Sequence, residues 1–500
     1  MTFASMIQSL EGRVEVLERH GDHGVSVGAI TDDSRSVPEG SLFVAVKGEH
    51  VDGHQFIPAA MRAGIAALVS EQPVMDKVIP YARVADSKKA LGLLGSHFYG
   101  SPSMHLRMIG VTGTNGKTTT TYICKTLLEA LGQRVGLIGT VAYQIGKETI
   151  PASHTTPGAL ELQRLLSKMV AGGCTAAVME VSSHALAQDR VVGCDYDVAV
   201  FSNLTQDHLD FHKTMEDYFQ AKLRLFTGLT GTRKSKTRAI VNVDDPAGER
   251  IAGMCRAPVW TYGLKHAADL RAEQLRLSLG GTTFVAATPA GSFPVDSHLV
   301  GEHNVYNLLA AIGVALHEGA SPDHVRDAVA QLTNVPGRFE RVTAGQKFTV
   351  VVDYAHTEDA VVRLLMAAQA VKTGRIITVF GCGGDRDRGK RPKMGAAAVQ
   401  YSDVVILTSD NPRTEDPLAI LQEVEVGVIE AMKGRSHVEY QKVPDRREAI
   451  ATAIREARAG DMVLIAGKGH EDYQIIGTTK VHFDDREVAR EEIERLGTCS

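Results

Sequence analysis

The stretch Val111-Thr112-Gly113-Thr114-Asn115-Gly116-Lys117-Thr118-Thr119-Thr120 constrains this chain more than any other. The apolar run before it, Met108-Ile109-Gly110-Val111, reads as a buried strand. After it, Tyr122, Ile123, Thr126, Leu127 and Leu128 fall at helical spacing. Strand, glycine-rich turn, lysine and helix, in that order, present backbone N–H groups to a phosphate at a helix N-terminus. Gly113 and Gly116 let the backbone come close. Lys117 is placed to reach the β- and γ-phosphates of a nucleoside triphosphate, and the Thr118 hydroxyl to help hold Mg²⁺. One departure stands out: Val111 occupies the position of the pattern's first glycine.

Apolar strands alternate with helices after this loop, at Val135–Ile138, Ala176–Val181, Val198–Phe201 and Ala239–Val243. That alternation predicts an α/β fold with a parallel sheet covered on both faces, whose ligands sit beyond the carboxyl ends of the strands. Polar residues gather at those ends. Glu180-Val181-Ser182-Ser183-His184 closes one strand and Ser202 to Asp210, with Asp207 and His208, closes the next. A carboxylate and an imidazole at adjacent strand ends, facing a phosphate loop, can ligate a divalent metal. Further along, Gly301-Glu302-His303-Asn304-Val305-Tyr306-Asn307 opens a helix with amides on one face. Pro336-Gly337-Arg338 is a turn carrying an arginine. Lys222, on a helix with one apolar face, reads by itself as a surface lysine.

Five hundred residues are too many for one core, and length predicts about three domains. Residues 1–105 read as a small α/β domain, with strands at Leu42–Val46 and Ala66–Val69 and a helix at Ile57–Ala63. Residues 106–343 form the central phosphate-loop domain. Residues 344–500 form a third, Rossmann-like domain, in which four buried strands each deliver a polar loop: Thr349–Asp353, Ile376–Phe380, Val404–Leu407 and Met462–Ile465. Gly381 to Gly384 lacks the order of a dinucleotide fingerprint, which excludes an NAD site there. A net charge of −5 gives no reason to expect nucleic acid as a partner. The six cysteines form no Cys-x-x-Cys pair, no apolar run approaches ~20 residues, and no leader is evident. A cytoplasmic protein, away from membranes, is expected.

Taken together, the glycine-rich loop, Glu180-Val181-Ser182-Ser183-His184, Asn203-Leu204-x-x-Asp207-His208-Leu209-Asp210, the Lys222 stretch, Gly301-x-His303-Asn304-x-x-Asn307, Pro336-Gly337-Arg338 and Asp353-Tyr354-Ala355-His356 resemble the Mur ligases. That family adds amino acids to the UDP-N-acetylmuramoyl precursor of peptidoglycan. The resemblance covers essentially the whole chain. Within it, the motifs look most like those of the ligases that add the third residue. Where the family pattern has proline after Asp-Tyr-Ala-His-Thr, this chain has Glu358.

The resemblance implies a monomeric ATP-dependent ligase working through an acyl phosphate. Gly113, Thr114, Asn115, Gly116, Lys117, Thr118, Thr119, Asn304, Arg338 and Asp353 match ATP contacts. Thr118 and Glu180 match ligands of one Mg²⁺, and His208 matches a ligand of another. Lys222 matches the family lysine that is carbamylated by CO₂, which would make it an anion that bridges toward Mg²⁺ and so a metal-site residue with Thr118, Glu180 and His208. Lys117, Lys222 and His208 are the expected catalytic residues. Asp32, Ser34, Glu49, His50 and Val51 match uridine-nucleotide contacts, and Thr155, Thr156, Ser182, Gln188 and Arg190 match contacts to the muramoyl dipeptide. Asp410-Asn411-Pro412-Arg413 resembles the motif for meso-diaminopimelate, with Arg386, Gly467 and Glu471 as further contacts. Three alternatives remain at this point: an L-lysine-adding homologue, a folylpolyglutamate synthetase-like ligase, and a P-loop switch without ligase chemistry.

Overall fold

The structure, a computed structural model, describes residues 1–48, 51–74, 78–230 and 233–498. Three sheets, each carrying helices, follow one another along the chain. The first has five strands in the order Val16–His20, Tyr81–Val84, Ala67–Ser70, Ser41–Val44 and Ala29–Thr31. Only its first pair is antiparallel. The two strands read from sequence are its buried interior; its edge strand Val16–His20 alternates half-buried and exposed residues and carries no apolar run.

The second sheet has eleven strands. Its parallel centre runs Val259–Gly263, Arg238–Asn242, Val198–Phe201, Arg107–Thr112, Ala176–Glu180 and Val135–Ile138. The strand leading into the phosphate loop therefore lies in the middle, flanked by the strands that end in Glu180 and Phe201. This placement brings three polar strand ends together. Leu270–Ser278 joins this centre in parallel, and antiparallel strands extend both edges beyond it, among them Gly281–Thr288 and Gly291–Ser297. Their outward positions are polar, so a search for buried runs passes over them. On one face, helices Lys117–Ala130 and Glu302–His317 pack through Ile123, Leu127, Leu308 and Ile312 onto Ile109, Val111 and Val200. Helix Glu302–His317 is buried nearly all round, as its apolar sequence requires. Each large side chain so buried contributes roughly 1.5–3 kcal/mol.

The third sheet runs Glu340–Val342, Thr349–Asp353, Met462–Ala466, Ile376–Phe380, Val404–Leu407 and Glu439–Lys442. All pairs but the first are parallel. The expected boundary at 343 thus cuts off a strand that pairs with Thr349–Asp353; three residues at a sheet edge leave no periodic signal. Loops 354–357, 381–389, 408–416 and 467–472 leave the carboxyl ends of the four interior strands. A hairpin, Tyr473–Ile476 with Thr479–His482, lies over the 410–413 loop. Glu358 begins helix Glu358–Val371, capped by Thr357. A carboxylate in the first turn complements the helix dipole, and proline is also favoured there, so the departure leaves the loop before it intact. Among the described residues no helix is long and apolar enough to cross a membrane.

Candidate active site

The phosphate loop is shaped by what its glycines touch. Gly113 has φ +149, and a Cβ there would lie 1.9 Å from Ser202 Oγ. Gly116, with φ +88, caps helix Lys117–Ala130 with no side chain over the helix N-terminus; its Cβ would lie 2.4 Å from Asn307 Oδ1. The loop is further held by the neighbouring strand end, because Asn115 O accepts from Ser202 Oγ at 2.6 Å and from Asn203 Nδ2 at 3.0 Å. The open N–H groups of such a turn favour an anion.

Lys117 Nζ donates to Gly113 O at 3.0 Å and Thr114 O at 2.8 Å. Lys222 Nζ donates to the same Gly113 oxygen at 2.8 Å. Lys222 is 1% exposed, so it is no surface lysine. Burial, reinforced by Lys117, holds its amine well below the ordinary lysine pKa. Its Nζ lies 4.3 Å from the centre of the Tyr218 ring, whose hydroxyl meets Thr114 Oγ1 at 3.1 Å.

Glu180, at the end of its strand, is 1% exposed. Its Oε1 accepts from Thr118 Oγ1 at 3.0 Å and from the Thr140 N–H at 2.8 Å, and Oε2 accepts from Thr140 Oγ1 at 3.1 Å. His208 sits in a left-handed turn, its Nε2 3.3 Å from Asp207 Oδ2 and its ring edge-on to His184. Burial lowers its pKa to about 4, against the pull of Asp207, so the imidazole is neutral near pH 7. Burial works against the charge of Asp207, yet His208, His356, Lys390 and Lys117 together hold its pKa below the usual range.

These groups line one cavity of about 410 Å³ with Thr114, Asn115, Thr119, Thr155, Ser182, Asn307, Arg338, Asp353, His356 and Arg386. The cavity lies between the second and third sheets, which touch across it. Arg338 donates to Thr118 Oγ1 at 3.1 Å and stacks on Tyr354. Asp359 Oδ2 accepts from Asn115 Nδ2 at 2.5 Å and from Thr205 Oγ1 at 3.3 Å. Asp353 is fixed by the N–H groups of Phe339, at 2.7 Å, and Ala355, at 2.8 Å. A second cavity, about 370 Å³, opens on the other side of the loop. It shares Asn115, Gly116, His303, Asn307 and Arg363 with the first and adds Asn203, Asp244, Asp245 and Tyr306.

Asn304 lines neither. It donates to Val300 O at 2.8 Å and accepts from Asn307 Nδ2 at 3.0 Å. With Arg338 it lines a separate cavity of about 230 Å³. The residue that faces the loop is Asn307, one helical turn further on. Spacing put both amides on one face, but only packing against Thr120 tells them apart.

The proposed dipeptide contacts form one network beside Glu180. Thr155 Oγ1 meets Thr140 Oγ1 at 3.0 Å, and Thr156 Oγ1 donates to Glu180 O at 2.9 Å and accepts from Ser182 N at 3.0 Å. Arg190 donates to Thr156 O at 3.2 Å and to Gln188 Oε1 at 2.8 Å. Asp32, Ser34 and Val51 lie on the first domain and do not line the main cavity. Beside them Arg35 pairs with Asp33 at 2.9 Å. Glu49 and His50 lie outside the described residues.

The third-sheet residues gather at the far side of Tyr354. Arg413, at φ +51, donates to Gly384 O at 2.8 Å, and its backbone is clamped by the hairpin through Ile475 O and the Gly477 N–H. Pro412, beside it, leaves its carbonyl against Gly384. Arg386 is close enough to Arg413 for the two to repel. Asn411 Nδ2 donates to Glu471 Oε2 at 2.9 Å, and Gly467 brings its backbone against Asp410. Burial and the neighbouring Asp410 raise the pKa of Glu471. Thr140, Tyr218, Asp359 and Lys468 also belong to the site; Lys468 stands in the polar loop 467–472, and only the fold gives each of the four its partners.

Among the described residues no three His, Cys, Asp or Glu side chains converge as a metal cage. Thr118 and Glu180 offer instead a hydroxyl and one carboxylate beside a phosphate loop. This fits Mg²⁺, which is commonly held by one or two carboxylates, substrate phosphates and water.

Fold and site define a three-domain nucleotide-binding α/β protein, with its phosphate loop facing a third domain that carries a polar, two-arginine pocket. The models of the Mur ligase family match it in three pieces: the Mur ligase family, catalytic domain over residues 26–99; the Mur ligase middle domain over 111–315; and the Mur ligase, glutamate ligase domain over 337–469. The chain belongs to the Mur ligase family. It is 50% identical over 487 residues to the UDP-N-acetylmuramoyl-L-alanyl-D-glutamate–2,6-diaminopimelate ligase of Geobacillus thermodenitrificans, covering 97% of this chain and 98% of that protein. A solved structure of a ligase with the same description is 36% identical and covers 99% of both chains with a TM-score of 0.71. The MurF ligase of Thermotoga maritima, solved with ADP, shares the fold at 22% identity, a TM-score of 0.63, and 94% and 98% coverage.

Proposed function

We propose that this chain uses ATP to join meso-diaminopimelate to UDP-N-acetylmuramoyl-L-alanyl-D-glutamate. One observation carries the reading: the pocket of Arg386, Arg413, Asn411 and Glu471 adjoins, across Tyr354, a phosphate-loop cavity that also contains the Thr155–Ser182 network. A 50% identical relative over nearly the whole chain bears the name of this activity.

A carboxylate does not react with an amine at neutral pH unless it is activated. The glutamyl carboxylate attacks the γ-phosphorus of ATP, the bond to the β-phosphate oxygen breaks, and an acyl phosphate and ADP result. The amine then attacks the acyl carbon, a tetrahedral intermediate forms, and phosphate leaves as the amine loses its proton. The phosphoryl step asks mainly for positioning and charge neutralisation. Lys117 and the N–H groups of Gly113 to Thr118 supply both from this chain. Mg²⁺, when held by Thr118, Glu180 and substrate oxygens, neutralises phosphate charge. His208 presents a neutral imidazole on the opposite wall, suited to a second metal ion.

Lys222 is suited to carbamylation. Burial drives the pKa of its amine well down, which favours the neutral form whose lone pair forms the N–C bond to CO₂ with release of one proton. The resulting anion sits beside Lys117. The adenine ring is assigned to the second cavity, which Asn203, Asp244, Tyr306 and Asn307 line. Arg338 and Asn115–Asp359 then hold the sheets closed over the acyl phosphate and exclude water. One chain supplies every group, so a monomer suffices. ATP as a substrate, and the five cysteines among the described residues, all unpaired, suit the cytoplasm.

The test is phosphate release by the purified enzyme. It should require ATP, Mg²⁺, the UDP-linked dipeptide and meso-diaminopimelate together. Release that ignores the amino acid would remove the ligase reading, and equal use of L-lysine would remove the diaminopimelate reading.

A further inference from the structure

The loop that carries Gly467 and Glu471 also carries a lysine that the mechanism above leaves unused. Lys468 is fully buried. Its Nζ donates to Asn411 Oδ1 at 3.2 Å and lies 3.6 Å from Glu471 Oε2 and 3.7 Å from Asp410 Oδ1. That Asp410 oxygen is buried and has no hydrogen-bond partner. A long cation with no exposed surface is rare unless paired, and here it faces two carboxyl groups at once.

The geometry does two things. Lys468 and the Ile475 N–H both donate to Asn411 Oδ1, which turns the amide nitrogen toward Glu471. An asparagine held this way can only donate to Glu471. Lys468 also leaves the trio of Asp410, Glu471 and itself one positive charge short of neutrality. The orphaned Asp410 oxygen and the Glu471 carboxylate are then left to receive a donor that carries that charge. A substrate ammonium is such a donor.

We propose that Lys468 is the positioning residue that orients Asn411 and balances Asp410 against Glu471, so that the pocket accepts the distal ammonium of diaminopimelate. This rests on the diaminopimelate reading above. The other groups that face Glu471 are Arg413, the Tyr354 hydroxyl at 3.5 Å, Tyr473 and Arg446. Arg446 is buried and committed to Asp485 at 2.6 Å. Arg413, which donates to Gly384 O and forms an ion pair with neither Asp410 nor Glu471, is the cation left to meet a substrate carboxylate. Lys468 is the group that most lowers the pKa of Glu471 against burial and Asp410, so its loss shifts Glu471 toward the neutral acid, a weaker partner for the ammonium.

The experiment compares the full-length enzyme with Lys468→Met, at saturating ATP and UDP-linked dipeptide, from about pH 7 to about pH 8.5. Folding is checked by the melting curve and by ADP binding. At the lower pH the variant's KM for meso-diaminopimelate should rise about tenfold or more, with kcat little changed. The excess over the unmodified enzyme should shrink as pH rises and Glu471 gives up its proton. A KM that is unchanged, or raised equally at every pH, would overturn the proposal, because a packing defect alone has no such pH dependence. If Lys468→Met does not fold, Lys468→Gln carries the same test, since its amide keeps a donor and removes only the charge. Equal use of L-lysine by the unmodified enzyme would remove the diaminopimelate reading itself, whereas a pH-independent KM in the variant removes only the role of Lys468.

Discussion

Lys117 and Lys222, from two helices far apart in sequence, donate to the same acceptor, the carbonyl oxygen of Gly113, at 3.0 and 2.8 Å. Two ammonium groups cannot share one buried oxygen without strong repulsion. Burial lowers the pKa of both; Lys117 lowers that of Lys222 further, and Asp207 pulls both back upward. Lys222, the more deeply buried of the two, therefore has its pKa driven the further below the ordinary lysine value.

Lys222→Ala should fold and lose nearly all ligase activity. Short carboxylic acids such as acetate or formate should restore part of it by supplying an anion in the vacated space. Full activity in the variant would end the assignment.

Lys222→Met should keep the fold and make stability less dependent on pH. In the unfolded chain the lysine is protonated up to about pH 10.4. In the folded protein its pKa lies well below that. Folding thus releases a proton, and stability rises with pH between the folded and unfolded pKa values. Denaturant titrations at two pH values in that window should show a smaller difference for the variant.

Gly113→Ala should abolish nucleotide binding. An added Cβ meets Ser202 Oγ at 1.9 Å, and φ +149 suits glycine alone. Calorimetry with ADP reads this out; wild-type affinity in the variant would contradict the loop geometry.

Asp359→Ala should raise the KM for ATP, because Asn115 and Thr205 lose the carboxylate that ties the second sheet to the third. Loss of a charged hydrogen bond of this kind costs about 1.5–3 kcal/mol. Unaltered ATP kinetics would show that the contact does not govern closure.

Arg413→Ala should remove most of the preference for meso-diaminopimelate over L-lysine, a loss of roughly 2–5 kcal/mol. The ratio of kcat/KM for the two amino acids measures it. An undiminished ratio would place the distal carboxylate elsewhere.

Much of this protein is determined by sequence alone. The phosphate loop, the parallel strands and the polar loops at their ends are local patterns, because buried strands need apolar runs and tight turns need glycine. Glu180 and His208 could be named as candidates because they stand at the ends of such runs, whereas Arg386 is named through the family resemblance. Tertiary structure decided what local pattern cannot carry. Asn304 and Asn307 are equivalent on a helix surface, and only the neighbouring phosphate loop selects Asn307. Lys222 reads as an ordinary surface lysine in sequence and Lys468 as one member of a polar loop, but burial drives the pKa of the first far down and the fold seats the second between two carboxyl groups. Charge state and partner choice follow from distance and desolvation, and both are set by chain segments that meet only when the three sheets are assembled.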